Sequence, residues 1–249
     1  MPVFPLAQTP QADGRFEIST EQRHHLLRVL RVKPGSTFEV SLPDGRRGQA
    51  RLVAKGDSLH GLWIEESAFP STPSLAAWLA IGLIRMSRLE WLVEKATELG
   101  AERLSLLRLS HGSLPKSESI SINKINRLKK ISQETLKQCE RNTLMRIDAP
   151  ESLEEFLDRL EIEAPASSRI LLRERAELPL LSQVLEKEAG MTILLVGPEG
   201  GFSDRECRAA EKFGFEPASL GPALLRSETA ALAALSHLHL RQCAGGKDR

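Results

Sequence analysis

The chain contains no apolar run of about 18 residues, so no membrane-spanning helix is expected. Its N-terminus, MPVFPLAQTPQADGRF, lacks a basic segment followed by an apolar core and does not read as a signal peptide. Cysteine is scarce. Cys139, Cys207 and Cys243 are odd in number and widely spaced, which suggests neither a disulfide framework nor a metal site. No His/Cys/Asp cluster has zinc spacing, and the adjacent His24 and His25 would point apart on a helix. A cytoplasmic protein without a metal fits these absences. An excess of one charge is lacking too, because 34 Lys/Arg stand against 33 Asp/Glu for a net +1. The charge is nevertheless uneven: residues 23–55 carry a net +6, residues 103–146 a net +7 and residues 151–163 a net −5. Two basic blocks read either as a localised polyanion-binding surface or as solvated helix faces.

At 249 residues and 41% hydrophobic content, the chain can bury a sizeable core in one or two domains. The stretch that organises it is MTILLVGPEGGFSDRE, residues 191–206. The run 193–196 is too continuous for a one-sided strand, so both faces should be buried, as in a parallel sheet. Gly197-Pro198-Glu199-Gly200-Gly201 follows, and Ser203 with Glu206 has capping-box spacing for a helix start. Strand, glycine loop and helix in succession is how open α/β sheets build ligand sites at strand carboxyl ends. A tight turn with no ligand is the plain alternative. The loop is no Walker loop and lacks G-x-G-x-x-G spacing. A second unit lies close behind: 218–220, then Gly221-Pro222-Ala223-Leu224-Leu225-Arg226, then an alanine-rich helix over 227–239. Neither loop holds a phosphate-binding Lys or a Cys–His pair, which suits an uncharged, partly apolar ligand held by backbone groups.

Residues up to about 70 read as a small β-rich domain with one helix. Ser19 and Gln22 form a capping pair for a helix over 21–31, with Leu26, Leu27 and Leu30 buried and His24, Arg28 and Arg31 on another face. Strands are expected at 37–42, 48–54 and 61–65. SAFPSTPS, residues 67–74, is the linker, giving domains over 1–70 and 74–249. Beyond it the pattern alternates. It runs through a strand at 75–84, a helix capped by Ser87 and Glu90 and ended by Gly100, and a strand at 103–109. A basic helix at 122–140, a strand at 144–147, a helix at 152–160, a strand at 169–173 and a helix at 179–189 follow. This predicts an α/β fold, a mostly parallel sheet with helices on both faces.

VGPEGGFSDRE with LGPALLRSETAALAAL resembles the signature of the bacterial 16S ribosomal RNA uridine N3-methyltransferases, which are trefoil-knotted SPOUT enzymes using S-adenosylmethionine. His25-Leu26-Leu27-Arg28-Val29-Leu30-Arg31 with Pro34-Gly35, Lys95-Ala96-Thr97-Glu98-Leu99-Gly100, and Gln138 with Arg141 match as well, so the likeness spans nearly the whole chain. It implies a PUA-like RNA-binding barrel before a knotted C-terminal domain; periodicity cannot encode the knot. It also implies a homodimer acting on 16S ribosomal RNA in the small subunit, with the donor held by Leu172, Val196, Gly197, Pro198, Glu199, Gly200, Leu220, Gly221, Leu224, Leu225, Arg226 and Thr229. RNA would be met by Arg28, Arg31, Arg46, Arg47, Arg88, Gln138 and Arg141. Methylating N3 requires loss of its proton, so Arg226 would stabilise the anion or hold a phosphate next to it, while Glu199, Glu228 or a water would accept the proton. The chain departs from the family at Ser110-His111-Gly112-Ser113, where the family has Ser-Glu-Arg-Ser, and also at Ser227 and Glu94. The first departure removes an arginine that the family would use on RNA. Rival readings are a knotted ribose 2′-O-methyltransferase and a non-catalytic RNA-binding assembly factor.

Overall fold

A computed structural model describes residues 4–6, 8–11, 13–29, 31–42, 47–55, 58–66, 75–112, 120–139, 141, 143–174, 177–185 and 190–245. The expected linker, residues 67–74, lies outside the described residues. The chain divides into two compact units, residues 1–73 with 136–143, and residues 74–135 with 144–249.

The first unit holds β1 (Phe4–Pro5), β2 (Arg15–Glu17), α1 (Thr20–His24), β3 (Thr37–Ser41), β4 (Arg47–Lys55) and β5 (Ser58–Glu66). Its sheet runs β1-β3-β4-β5-β2, with β1 and β3 parallel and the other pairs antiparallel. Phe4, Phe16, Leu26, Phe38, Val40 and Leu52 fill its core, and Phe4 meets Phe38 edge to face at 5.9 Å. Ser19 and Gln22 cap α1 reciprocally, as their spacing predicts: Ser19 N–H donates to Gln22 Oε1 and Gln22 N–H to Ser19 Oγ. The single helix expected over 21–31 is not formed. After five residues the coil widens into a π turn, His25–Val29, and Arg31 lies beyond it with φ of 54°. A π turn inserts a residue into the helical register, so His24, Arg28 and Arg31 do not share one regular face.

The second unit holds β6 (Leu75–Gly82), α2 (Met86–Leu99), β7 (Ala101–Arg108), the start of α3 (Ile122–Gln138), β8 (Arg146–Ile147) and β9 (Glu151–Ser152). Then come α4 (Leu153–Glu163), β10 (Ser168–Leu172), α5 (Leu181–Val184), β11 (Thr192–Val196), α6 (Asp204–Lys212), β12 (Glu216–Ala218) and α7 (Ser227–Gly245). Among the described residues the sheet has seven strands in the order β12-β10-β11-β6-β7-β8, with β9 also on β7, and every pair is parallel. Successive strand residues point to opposite faces, and both faces are covered. Leu79, Ile81, Leu194 and Val196 pack with residues of α2, α3 and α7, whereas Trp78, Ala80, Ile193 and Leu195 pack with α4 and α6. The apolar run 193–196 is therefore buried throughout, as its continuity predicts.

One start, one end and one length differ from expectation. Ser87 does not cap α2; the N-cap is Arg85, whose extended backbone presents its carbonyl to the N–H groups of Arg88 and Leu89. The strand expected to run to residue 220 stops at Ala218, and Ser219 instead pairs singly with Leu180. The helix expected over 179–189 is described as Leu181–Val184, and residues 186–189 lie outside the described residues. Gly100 ends α2 in the left-handed conformation, φ 86°, as expected.

Candidate methyl-donor cleft

Strands β10, β11 and β12 are parallel neighbours, so Leu172, Val196 and Ala218 bring their carboxyl ends to one edge. Between the loops that leave this edge lies a cleft of about 210 Å³. One water needs roughly 10–15 Å³, so the space admits an organic molecule. Leu172, Val196, Gly197, Pro198, Leu220, Gly221 and Leu225 line it, all of them expected donor-binding positions. Phe202, Ser219 and Ser227 line it too. Phe202 and Ser219 went unsingled in the sequence and Ser227 stood out only as a departure from the family, although each lies within two residues of an expected donor-binding position. Apart from Arg173 and Glu174 the lining is uncharged.

The loops are held by specific contacts. Gly201 takes φ 68° and donates its N–H to the Pro198 carbonyl at 2.9 Å, closing the first glycine turn. Beneath it, a Cβ added to Gly82 would stand 2.6 Å from Pro198 Cδ and 2.8 Å from Pro198 N, so only glycine lets the loop settle on β6. In the second loop the Ser219 hydroxyl accepts from Gly221 N–H at 3.1 Å, fixing a residue with φ of 111°. The capping box forms as its spacing predicts, with Glu206 N–H donating to Ser203 Oγ and Ser203 N–H to Glu206 Oε2. Glu206 Oε1 also accepts from Ser110 N–H at 2.7 Å, tying this helix start to the segment after β7. Burial alone would raise the Glu206 carboxyl, but the hydrogen bonds from Ser110 and Ser203 outweigh it and hold the group below the ordinary carboxylate value.

The remaining expected site residues separate into groups. Glu199 and Glu228 do not line the cleft. Both face Arg88, with Arg88 Nη1 2.7 Å from Glu199 Oε1 and Arg88 Nε 3.6 Å from Glu228 Oε1. Gly200 is turned away: a Cβ there would meet His111 Cβ at 2.8 Å, and the Gly200 carbonyl stands 3.1 Å from His111 Nδ1. Its lack of a side chain serves that packing. Leu224, Arg226 and Thr229 are exposed and outside the lining, Arg226 between the lining residues Leu225 and Ser227. Cys207 is buried in the core, and burial raises its thiol pKa.

Of the expected RNA contacts, Arg28 and Arg31 are exposed and Arg47 begins β4, while Arg46 lies outside the described residues. Gln138 is exposed, but Arg141 is buried, which takes it off the surface. Ser110, His111 and Gly112 are described and Ser113 is not. Among the described residues no group of three or more His, Cys, Asp or Glu is placed to hold a metal ion. No helix among them is long and apolar enough to cross a membrane.

Known proteins share this arrangement. The RNA methyltransferase domain family matches residues 71–239, and the RNA methyltransferase PUA domain matches residues 18–60. Ribosomal RNA small subunit methyltransferase E of Synechocystis sp. is 32% identical over 231 residues, covering 91% of this chain and 73% of that protein. The Bacillus subtilis protein of the same name is 29% identical, covering 89% and 88%. A Legionella pneumophila structure solved in complex with the cofactor SAM superposes with a TM-score of 0.76 at 26% identity, over 97% of this chain and 98% of that one. The fold is also that of a Neisseria gonorrhoeae ribosomal RNA small subunit methyltransferase E bound to S-adenosyl methionine, with a TM-score of 0.79 over 97% and 98% at 22% identity. A parallel sheet with paired glycine loops at its carboxyl edge, a match over residues 71–239 and a relative at 32% identity place the chain in one family: it belongs to the RNA methyltransferases, with the ribosomal RNA small subunit methyltransferases E among its relatives.

Proposed function

We propose that this protein transfers a methyl group from S-adenosylmethionine to N3 of one uridine in 16S ribosomal RNA. The observation that carries the reading is the cleft at the ends of β10, β11 and β12, walled by two glycine loops and almost free of charged side chains. Such walls suit a bent adenosine-containing molecule better than a nucleoside phosphate, which would need a lysine or a helix-held anion site. Leu172, Val196, Gly197, Pro198, Leu220, Gly221 and Leu225 would hold it; Glu199, Gly200, Leu224 and Arg226 belong to the same loops, and Thr229 to the start of α7, without lining the space. When bound, that molecule supplies a methyl already activated by its sulfonium. The residues therefore contribute orientation and charge stabilisation rather than covalent chemistry.

Arg226 stands at the mouth, exposed, where the second loop turns into α7. A guanidinium there offers a planar fork of donors to the anionic uracil or a neighbouring phosphate. Of the two carboxylates considered for the N3 proton, the Glu228 side chain is only 8% exposed and that of Glu199 is 30% exposed. That leaves Glu199 or a water as the acceptor. Because N3 lies on the Watson–Crick edge, the target must be unpaired or turned out of its stack. Residues 1–70 would serve as the RNA-binding domain, through phosphate contacts by Arg28, Arg31, Arg46 and Arg47, and residues 74–249 as the catalytic one. The protein would act in the cytoplasm as a homodimer. The exposed apolar side chains of Leu180 and Leu224, at 44% and 78%, fit a partner subunit at the loop edge.

The test is mass mapping of small-subunit RNA from cells lacking the protein, complemented by wild type or by Arg226→Ala. One uridine should lose a base methyl that only wild type restores. Purified Arg226→Ala should keep near-normal donor affinity while single-turnover methylation falls about 10²–10³-fold, the loss seen when an anion-stabilising donor is removed. A methyl lost from a ribose would redirect the reading to a 2′-O-methyltransferase, and no lost methyl would favour an assembly factor. Equal falls in donor affinity and rate would make Arg226 a cofactor residue.

A further inference from the structure

The expected RNA contact Arg88 occupies a place that a phosphate contact does not explain. It lies in the first turn of α2, and its side chain is only 27% exposed. One nitrogen reaches Glu199 in the first glycine loop at 2.7 Å, and another faces Glu228, in the first turn of α7, at 3.6 Å. Glu228 is 6% exposed, and its Oε2 finds no hydrogen-bond partner among the described residues. A buried carboxylate with one unsatisfied oxygen depends on the cation beside it, because removing that cation leaves an uncompensated charge. The loop that carries Glu199 also carries Pro198, which rests on Gly82 of β6. Glu228 follows Ser227, a lining residue of the cleft. Arg88 thus joins the two walls of the cleft from outside it.

We infer that Arg88 and Glu228 are positioning residues, which hold the first glycine loop in its donor-binding form through Glu199. This rests on the reading of the cleft as the donor site. Arg88 donates to Glu199 as a charge-assisted hydrogen bond and neutralises Glu228, while Glu228 sits favourably at the positive N-terminal end of α7. RNA gains no direct contact from this pair.

The test uses the full-length protein, S-adenosylhomocysteine as the calorimetric probe and a 16S ribosomal RNA transcript for binding. Arg88→Ala should weaken S-adenosylhomocysteine binding about tenfold, the equivalent of losing one charged hydrogen bond. It should also speed hydrogen exchange in the loop 199–202 and leave the salt dependence of RNA binding at the wild-type slope. Arg88→Lys should recover part of the affinity, since it keeps the charge but loses the planar fork of the guanidinium. Adding Glu228→Gln to Arg88→Ala should move the urea midpoint back toward wild type, because it removes the stranded charge. Unchanged donor affinity together with a salt slope lower by about one unit would overturn the inference and make Arg88 a phosphate contact. Should wild type itself fail to bind S-adenosylhomocysteine, the donor reading falls, and the exchange and double-variant arms then decide the pairing alone.

Discussion

The parallel-sheet unit gathers arginines and carboxylates in two places, and they are built differently. On the α4 side of the sheet, Trp78 Nε1 donates to Ser105 Oγ at 2.9 Å, and Ser105 Oγ donates to Asp148 Oδ2 at 2.6 Å. Arg103 Nε donates to the same Asp148 oxygen at 2.7 Å, while Arg159 bonds Asp148, Glu151 and Glu163. Arg103 and Arg159 also lie over the Trp78 ring, at 3.9 and 4.9 Å from its centroid. Nearly every group has two or more partners; Arg103 Nη2 alone has none among the described residues. At the cleft, by contrast, Arg88 is shared between two acids, one at 3.6 Å, and Glu228 keeps an oxygen unsatisfied. A network with its partners in place fixes one arrangement of the core, whereas an under-satisfied one leaves a residue dependent on a neighbour, as functional edges often do. The difference predicts that the first place governs stability and the second governs binding.

The sharpest way to break that contrast is Asp148→Ala. It leaves Arg103, whose side chain is 10% exposed, with Glu163 as its remaining carboxylate among the described residues, and removing one partner of a buried pair costs about 3–5 kcal/mol. Urea unfolding should show that loss while donor affinity, measured on the folded fraction, stays at the wild-type value. The pH dependence adds a second check. Burial would raise the Asp148 carboxyl, but hydrogen bonds from Arg103 and Ser105 and the nearby charges hold it below its ordinary 3.8. The folded protein therefore binds fewer protons than the unfolded chain in this range. The contribution is complete above the unfolded value and is lost as pH falls through the folded one. Wild type should lose stability on acidification below about pH 4, and Asp148→Ala should lose less of it. A variant as stable as wild type would show that the network is surplus.

The reverse expectation attaches to Gly82→Ala. Its methyl would press on the backbone N and ring of Pro198, neither of which is the far end of a flexible side chain, so the first loop must move. Overpacking of this kind costs about 1–3 kcal/mol, less than the loss of Asp148. Donor affinity should fall at least about tenfold, because the displaced loop walls the cleft. A stability loss with unaltered donor affinity would mean that Pro198 can shift without changing the site.

Much of this contrast is invisible in the sequence, for a physical reason. Periodicity and capping report interactions within a few residues. They correctly gave the doubly buried strand at 193–196, the Ser203–Glu206 box and the left-handed Gly100. The two glycine loops were legible because each is local, and seven of the donor-binding positions that the family resemblance implied line the cleft. The start of α2 was misplaced because a bare backbone cap at Arg85 leaves no side-chain signature. The π turn after His24 was missed because one inserted residue leaves composition unchanged. The block 151–163 showed only a net negative charge, since its partners Arg103 and Trp78 come from two other strands. Likewise Glu199 and Arg88 are 111 residues apart, and nothing in either segment announces the other.

The smallest expected effect concerns the hydroxyl of Ser219, which is 1% exposed and belongs to the cleft wall. It accepts from Gly221 N–H at 3.1 Å and can donate to the Gly221 carbonyl at 3.2 Å, bracing a glycine whose φ of 111° is closed to most side chains. Ser219→Ala leaves the chain path and the bridge to Leu180 intact, because both are backbone features. Only the brace is lost, and one such hydrogen bond is worth about 0.5–1.5 kcal/mol. If the second loop is rigid only through that brace, the loss should appear in binding: S-adenosylhomocysteine affinity should fall severalfold while the urea midpoint barely moves. If the loop is fixed by its two ends, β12 and α7, the same energy should appear as stability and affinity should hold. The first outcome places the second loop with Arg88 on the binding side of the contrast, and the second places it with the Trp78 network.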